Sequence, residues 1–205
     1  MLIKKEQMTI RQRILKLIYP LLARVSRKKG INMRIEKNET GIMPPESFYS
    51  LRAVAGNGQP IDFDVFRGKK VLLVNTASAC GYTPQYDDLQ KLSEVYSDKL
   101  SVAGFPSNDF GEQEKGNDQQ IASFCKINFG VTFPLFKKSQ VIRGEGQNEV
   151  FRWLSDKNKN GWNNQQPEWN FCKYLVDEKG VLLGYWSAGI QPFDKEIIDA
   201  LSNAS

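Results

Sequence analysis

Residues 70–75 read KVLLVN, and this unbroken run ending in an asparagine narrows the fold more than any other feature of the chain. A strand without apolar–polar alternation has both faces buried, which happens where helices cover a sheet from either side. The residues that follow agree. From Pro84 onward, Tyr86, Leu89, Leu92, Val95 and Tyr96 fall along one side of a helix, with Thr83 expected as its cap and Pro84 suited to its first turn. Residues 100–105 then read as a strand, 118 to about 127 as a helix, 132–136 as a strand and 148–155 as a helix. Residues 175–185 predict a hairpin about Asp177 and Gly180, and residues 193–201 a final amphipathic helix. Upstream, residues 48–54 and 61–66 flank GNGQP and predict another hairpin. Alternating strands and helices with a terminal hairpin make an α/β chain with a central mixed sheet.

The chain has 205 residues, enough for one domain and an appendage, and contains no histidine. That absence excludes Ser-His-Asp and Cys-His catalysis, histidine-based zinc sites and histidine pH switches. Three cysteines are too few for an ordinary structural zinc site, and an odd number cannot all pair in disulfides. Any chemistry must come from thiol, carboxylate, amide, indole or hydroxyl groups, or from something bound.

Charge separates the chain into two parts. Residues 1–37 carry 11 Lys/Arg and 2 Asp/Glu, whereas the remaining residues have a net charge of −4. The body therefore has no electrostatic motive for binding nucleic acid. In the arm, Ile14, Leu17, Ile18, Leu21, Leu22 and Val25 recur at helical spacing, with Arg13, Lys16, Arg24, Lys28 and Lys29 around them. Its longest uncharged stretch, residues 17–23, contains Pro20 and falls far short of the roughly 20 residues needed to cross a bilayer. Nor does it have the form of a secretory signal. A basic amphipathic segment of this kind lies on an anionic membrane surface, or packs as a helix on the body; the sequence leaves both open. Residues 30–46 read as a linker, so the expected division is an arm and linker at 1–44 and a domain at 45–205.

Cys80 stands out among the nucleophiles. It lies in ASACGYTP, beyond the buried strand and just before a helix N-terminus. Free N–H groups and the helix dipole favour a thiolate there, and Gly81 suggests close backbone approach. Such a thiol can act without an imidazole base. The alternative, a small buried apolar residue, stays open on position alone.

The segment VLLVNTASACGYTPQYDDLQKL resembles the active-site segment of the glutathione peroxidases, in which cysteine or selenocysteine takes the place of Cys80. GFPSNDFGEQEKG at 104–116, FCKINFGVTFPLF at 124–136 and WNFCKYLVDEKG at 169–180 match the family in order, so the resemblance covers about residues 45–200. It implies a thioredoxin-like fold, with the basic arm outside it. It also implies a catalytic tetrad of Cys80, Gln113, Trp169 and Asn170. Gln113 and Asn170 carry amide donors, and Trp169 an indole N–H that cannot accept, a set suited to lowering a thiol pKa and steadying a departing oxygen. Without the resemblance, Trp169 reads as a core aromatic and Gln113 as a solvated loop residue.

The implied reaction is reduction of a hydroperoxide, by which Cys80 becomes a sulfenic acid that a second thiol must resolve. Cys125 matches the resolving cysteine of the thioredoxin-dependent members, implying a Cys80–Cys125 disulfide reduced by a thioredoxin-like partner; its alternative is a buried helix-face residue. Glutathione as reductant, and a non-enzymatic sensor handing its disulfide to a partner, remain as other readings. Neither cofactor nor metal is implied. Ser107 stands where many relatives have cysteine and Asp109 where glutamine is commoner, Cys172 is expected in strand packing, and Asn75 and Thr83 read as turn and cap residues. The short segment before Trp169 implies a monomer or weak dimer. The need for a reducing supply implies a cytoplasmic setting, with peripheral contact at the inner membrane surface through residues 1–37.

Overall fold

The computed structural model describes residues 7–28 and 30–202. Residues 1–6 of the arm, and Lys29 on its expected basic rim, lie outside the described residues. In chain order the elements are α1 (Ile10–Lys28), β1 (Ile35–Lys37), β2 (Arg52–Val54), β3 (Pro60–Asp62), β4 (Lys70–Thr76), α2 (Gln85–Val95), β5 (Leu100–Pro106), α3 (Asp118–Phe129), α4 (Glu149–Leu154), α5 (Lys157–Asn160), β6 (Lys173–Val176), β7 (Leu182–Trp186) and α6 (Lys195–Ser202). Short 3-10 turns at Phe48–Ser50 and Phe63–Phe66 flank the β2–β3 hairpin and shorten its expected strands.

The main sheet has the order β1-β7-β6-β4-β5, with β4 and β5 parallel and the other neighbours antiparallel. All seven residues of β4 are buried, as its sequence demands. Leu72 and Val74 face one apolar cluster with Tyr86, Leu89 and Leu92 of α2, Phe124 and Cys125 of α3, and Ile197 of α6. Val71 and Leu73 face the other, with Phe48, Phe63 and residues Val150, Phe151, Trp153 and Leu154 of α4. Helices therefore cover one face, and α4 with the hairpin region covers the other. Phe105 and Phe136 stack at 4.4 Å between ring centroids within the second layer.

Several local expectations are corrected. Residues 132–136 form no strand: Gly104 N–H donates to the Pro134 carbonyl and Phe136 N–H to the Gly104 carbonyl, but pairing goes no further than isolated bridges. Pro134 has no N–H with which to extend a ladder. Val95 is 60% exposed, at the frayed end of the α2 stripe. Thr83 does not cap α2; its hydroxyl accepts from Cys80 N–H and donates to the Ala77 carbonyl, closing the turn before the helix. Within the stretch expected as linker, β1 joins the main sheet along β7.

The arm is a helix packed on the body, one of the two expected placements, but with its polar side inward. α1 lies on the body through its polar side, and the apolar side points outward. Gln12 Nε2 donates to the Ser78 carbonyl at 2.9 Å, and Lys16 forms an ion pair with Asp87 at 2.8 Å. Tyr19 donates to Gln191 and accepts from Gln85. None of the described helices is long and apolar enough to cross a membrane.

Candidate active site

The C-terminal ends of β4 and β5 assemble the site. After Thr76 the chain turns through residues 77–84, and Cys80 is held in that turn by three local bonds. Its N–H donates to Thr83 Oγ1, its carbonyl accepts from Thr83 N–H, and its Sγ accepts from Tyr82 N–H at 3.4 Å. A Cβ at Gly81 would face open space, so the expected close backbone approach is not found there.

The second wall is the loop after β5. Ala79 N–H donates to the Gln113 carbonyl at 3.0 Å, and Ser78 donates through N–H and hydroxyl to Glu114 Oε2 at 2.8 and 2.9 Å. Asn108 Oδ1 accepts from Glu114 N–H. The loop bearing Gln113 is therefore stitched to the turn bearing Cys80. Asp109, whose effect the sequence left open, accepts from the N–H groups of Val141 and Ile142 and anchors the next loop.

The third wall precedes β6. Asn170 is fully buried and donates through Nδ2 to Gln113 Oε1 at 3.1 Å. Trp169 is half-buried, its ring 5.7 Å from that of Phe110. Asn75 fixes this wall: its amide donates to the Trp169 carbonyl at 2.9 Å and its Oδ1 accepts from Cys172 N–H at 3.0 Å. Asn75 is thus a strand-end clamp, correcting its reading as a turn residue; a buried amide closing an apolar strand was the signal. Outside glycine, Asn32, Glu112 and Phe171 have positive φ among the described residues. Glu112 and Phe171 adjoin Gln113 and Asn170, so backbone strain sits where two amides are aimed at one place.

Electrostatics corrects one expectation. Burial pushes the Cys80 thiol above its ordinary value; the Tyr82 N–H, the Trp169 indole and the Asn170 amide pull it back only in part. The resting sulfur is therefore a neutral thiol at neutral pH, contrary to the ionised group its setting suggested. Glu114, also buried, is pushed up to about 7 despite the bonds from Ser78.

Cys125 lies on the inner face of α3, wholly buried beside Tyr86, and burial pushes its thiol up to about 12. Its helix is intact, with a capping box between Asn117 and Gln120 and a left-handed Gly130 at the other end. Cys80, Cys125 and Cys172 are all free. Cys172 packs in the other layer, accepting from the Tyr185 hydroxyl at 3.3 Å.

A cleft of about 520 Å³ opens over Cys80, walled by Gln113, Ala79 and Pro84 on the body and by Met8, Gln12 and Leu15 on the arm. The structure thus gathers Cys80, Gln113, Trp169 and Asn170, and places Cys125 on α3 in the same apolar cluster as Cys80 but not bonded to it. No group of three Cys, Asp or Glu residues able to hold a metal ion occurs among the described residues.

A family model described as glutathione peroxidase matches residues 48–155. Glutathione peroxidase-like peroxiredoxin HYR1 of Saccharomyces cerevisiae is 44% identical over 146 residues, 71% of this chain and 89% of that protein. The crystal structure of T. cruzi GPX1 matches with a TM-score of 0.59 at 25% identity, covering 78% of this chain and 99% of the other. A thiol:disulfide interchange protein of the thioredoxin family from Chlorobium tepidum matches with a TM-score of 0.54 at 16% identity, covering 78% and 97%. The fold is thioredoxin-like.

Proposed function

The chain belongs to the glutathione peroxidase family, and from that premise we propose that it is a thiol peroxidase working through Cys80 and Cys125. The observation that carries the reading is a buried cysteine sulfur that lines a cleft and accepts from the Tyr82 N–H, with the Trp169 indole and the Asn170 amide acting on it and Gln113 bonded to Asn170. The catalytic domain comprises residues 45–205 together with β1, which joins its main sheet and so corrects the expected boundary at residue 45, and α1 forms the arm.

Cys80 Sγ attacks the nearer oxygen of a hydroperoxide, and the O–O bond breaks. Sulfur keeps a hydroxyl group as sulfenic acid, and the thiol proton goes to the departing oxygen, releasing water or an alcohol. Because burial holds the resting thiol neutral, proton loss accompanies attack, and Trp169 and Asn170 steady the sulfur as charge develops. Gln113 holds Asn170 in register and lines the cleft.

Cys125 then displaces hydroxide from Cys80, giving the disulfide and water, and a thioredoxin-like dithiol takes over the disulfide. Cys125 is free and buried on the inner face of an intact helix, and in this reading α3 loosens as its sulfur joins that of Cys80. The name peroxiredoxin carried by the yeast relative supports this route over glutathione. Hydrogen peroxide and organic or lipid hydroperoxides are the substrates. The protein works as a monomer or weak dimer in a reducing compartment such as the cytoplasm.

Peroxide-dependent NADPH oxidation, with thioredoxin and its reductase or with glutathione and its reductase, tests the reading. The wild type turns over with thioredoxin, Cys80→Ser does not react, and Cys125→Ser forms one sulfenic acid and stops. Equal hydrogen exchange over residues 118–130 in reduced and oxidised protein would count against the opening of α3. A single stoichiometric oxidation of the wild type would replace the enzyme by a sensor.

A further inference from the structure

The arm helix turns its apolar side away from the body on which its polar side packs. Ile10 is 79% exposed, Leu17 81%, Leu21 64% and Ile14 53%, and Ile18, Leu22 and Val25 are each more than two-fifths exposed. At 3.6 residues per turn these form one broad stripe. The opposite side is fully engaged. Met8 enters the apolar cluster that contains Cys80 and donates through its N–H to Asn128. Gln12 reaches Ser78, Lys16 reaches Asp87 and the Asn128 carbonyl, Tyr19 is buried between Gln85 and Gln191, and Arg27 pairs with Asp194. The helix cannot roll to bury its stripe without giving up that set of bonds.

We propose that the outward face of α1 is a docking surface for an anionic phospholipid bilayer, with the helix lying in the plane of the headgroups. Charge argues for this occupant. The helix carries six Lys or Arg residues and no Asp or Glu. Arg13 and Arg24 flank the stripe on one side and Arg11 on the other; all three are exposed and make no ion pair among the described residues. A second copy fits poorly, because a two-fold contact would set identical basic flanks against each other. Apolar residues entering the acyl boundary between basic residues at headgroup level match an interfacial helix. The cleft over Cys80 is walled by Met8, Arg11, Gln12 and Leu15, so docking also seats its mouth beside the lipid surface.

The test is co-sedimentation of the full chain with phosphatidylcholine vesicles, with and without phosphatidylglycerol. The wild type pellets with the anionic vesicles and at least about tenfold less with the neutral ones. Leu17→Gln with Leu21→Gln abolishes pelleting while leaving hydrogen peroxide turnover unchanged, since both side chains lie outside the cleft. Arg13→Gln with Arg24→Gln removes the preference for anionic lipid. Cys80→Ser pellets like the wild type, so docking stands or falls apart from the peroxidase reading. The proposal is overturned if the wild type stays in the supernatant with anionic vesicles, or if the double leucine variant pellets equally. It is overturned in favour of self-association if sedimentation velocity shows a lipid-free dimer that the leucine variant dissociates.

Discussion

The Asn170 amide donates to Gln113 Oε1 across 3.1 Å, joining two loops whose backbones are both strained one residue away, at Phe171 and Glu112. This bond leaves the second Asn170 N–H for the Cys80 sulfur. Asn170→Ala removes both donors and frees Gln113; the expected loss in the rate of Cys80 oxidation is about 10²-fold, the size seen when one donor to a developing anion is deleted. Gln113→Ala should cost less, because Asn170 keeps its bond to sulfur. Stopped-flow measurement of single-turnover oxidation checks the order.

Resting Cys80 is a buried thiol above its ordinary pKa, and the sign of its pH dependence follows. The thiolate fraction is small at neutrality and grows about tenfold per pH unit below the pKa, so alkylation by iodoacetamide rises through pH 7–9 without a plateau. Trp169→Phe removes a donor and moves the curve to still higher pH. A plateau at or below pH 7 would contradict the burial effect.

Asn75 pairs with two backbone groups on the segment bearing Trp169. Asn75→Ala leaves the buried Cys172 N–H unpaired, which costs on the order of 1–3 kcal/mol, and leaves the Trp169 carbonyl with only the Cys172 thiol as donor. Urea denaturation should show this loss. Activity should fall with it, and thermal stabilisers that restore the fold should not restore the rate.

Glu114 holds its proton up to about 7 in the folded chain, against an ordinary value of 4.5. Between those values the folded state binds more protons than the unfolded one, so this group makes stability decline as pH rises from about 4.5 to about 7. Glu114→Gln keeps an acceptor for Ser78 and cannot ionise. The variant should match the wild type at pH 4 and exceed it above pH 7, by on the order of 3 kcal/mol. Chemical denaturation at the two pH values decides.

Strand β4 was readable because an unbroken apolar run has few other homes, and α2 because its apolar residues recur at helical spacing, although its expected cap did not hold. Residues 132–136 misled because β-propensity takes no account of the one N–H that Pro134 lacks. The grouping of Cys80, Gln113 and the adjacent Trp169 and Asn170 came from ordered motifs, since Gln113 and that pair lie 33 to 90 positions beyond Cys80 and periodicity reveals no such proximity. The raised Cys80 thiol was hidden for a related reason: donors can be counted along a chain, but burial depends on everything that closes over the sulfur. Periodicity likewise gave the apolar stripe of α1 without saying that its polar side had better partners.

Because Met8, Gln12 and Leu15 wall the Cys80 cleft and Ile35–Lys37 runs along β7, α1 and β1 are working parts of the folded body. A shortened protein beginning after residue 37 would present an unroofed cysteine and a bare sheet margin. Its kinetics and its solubility would describe a different object from the native chain.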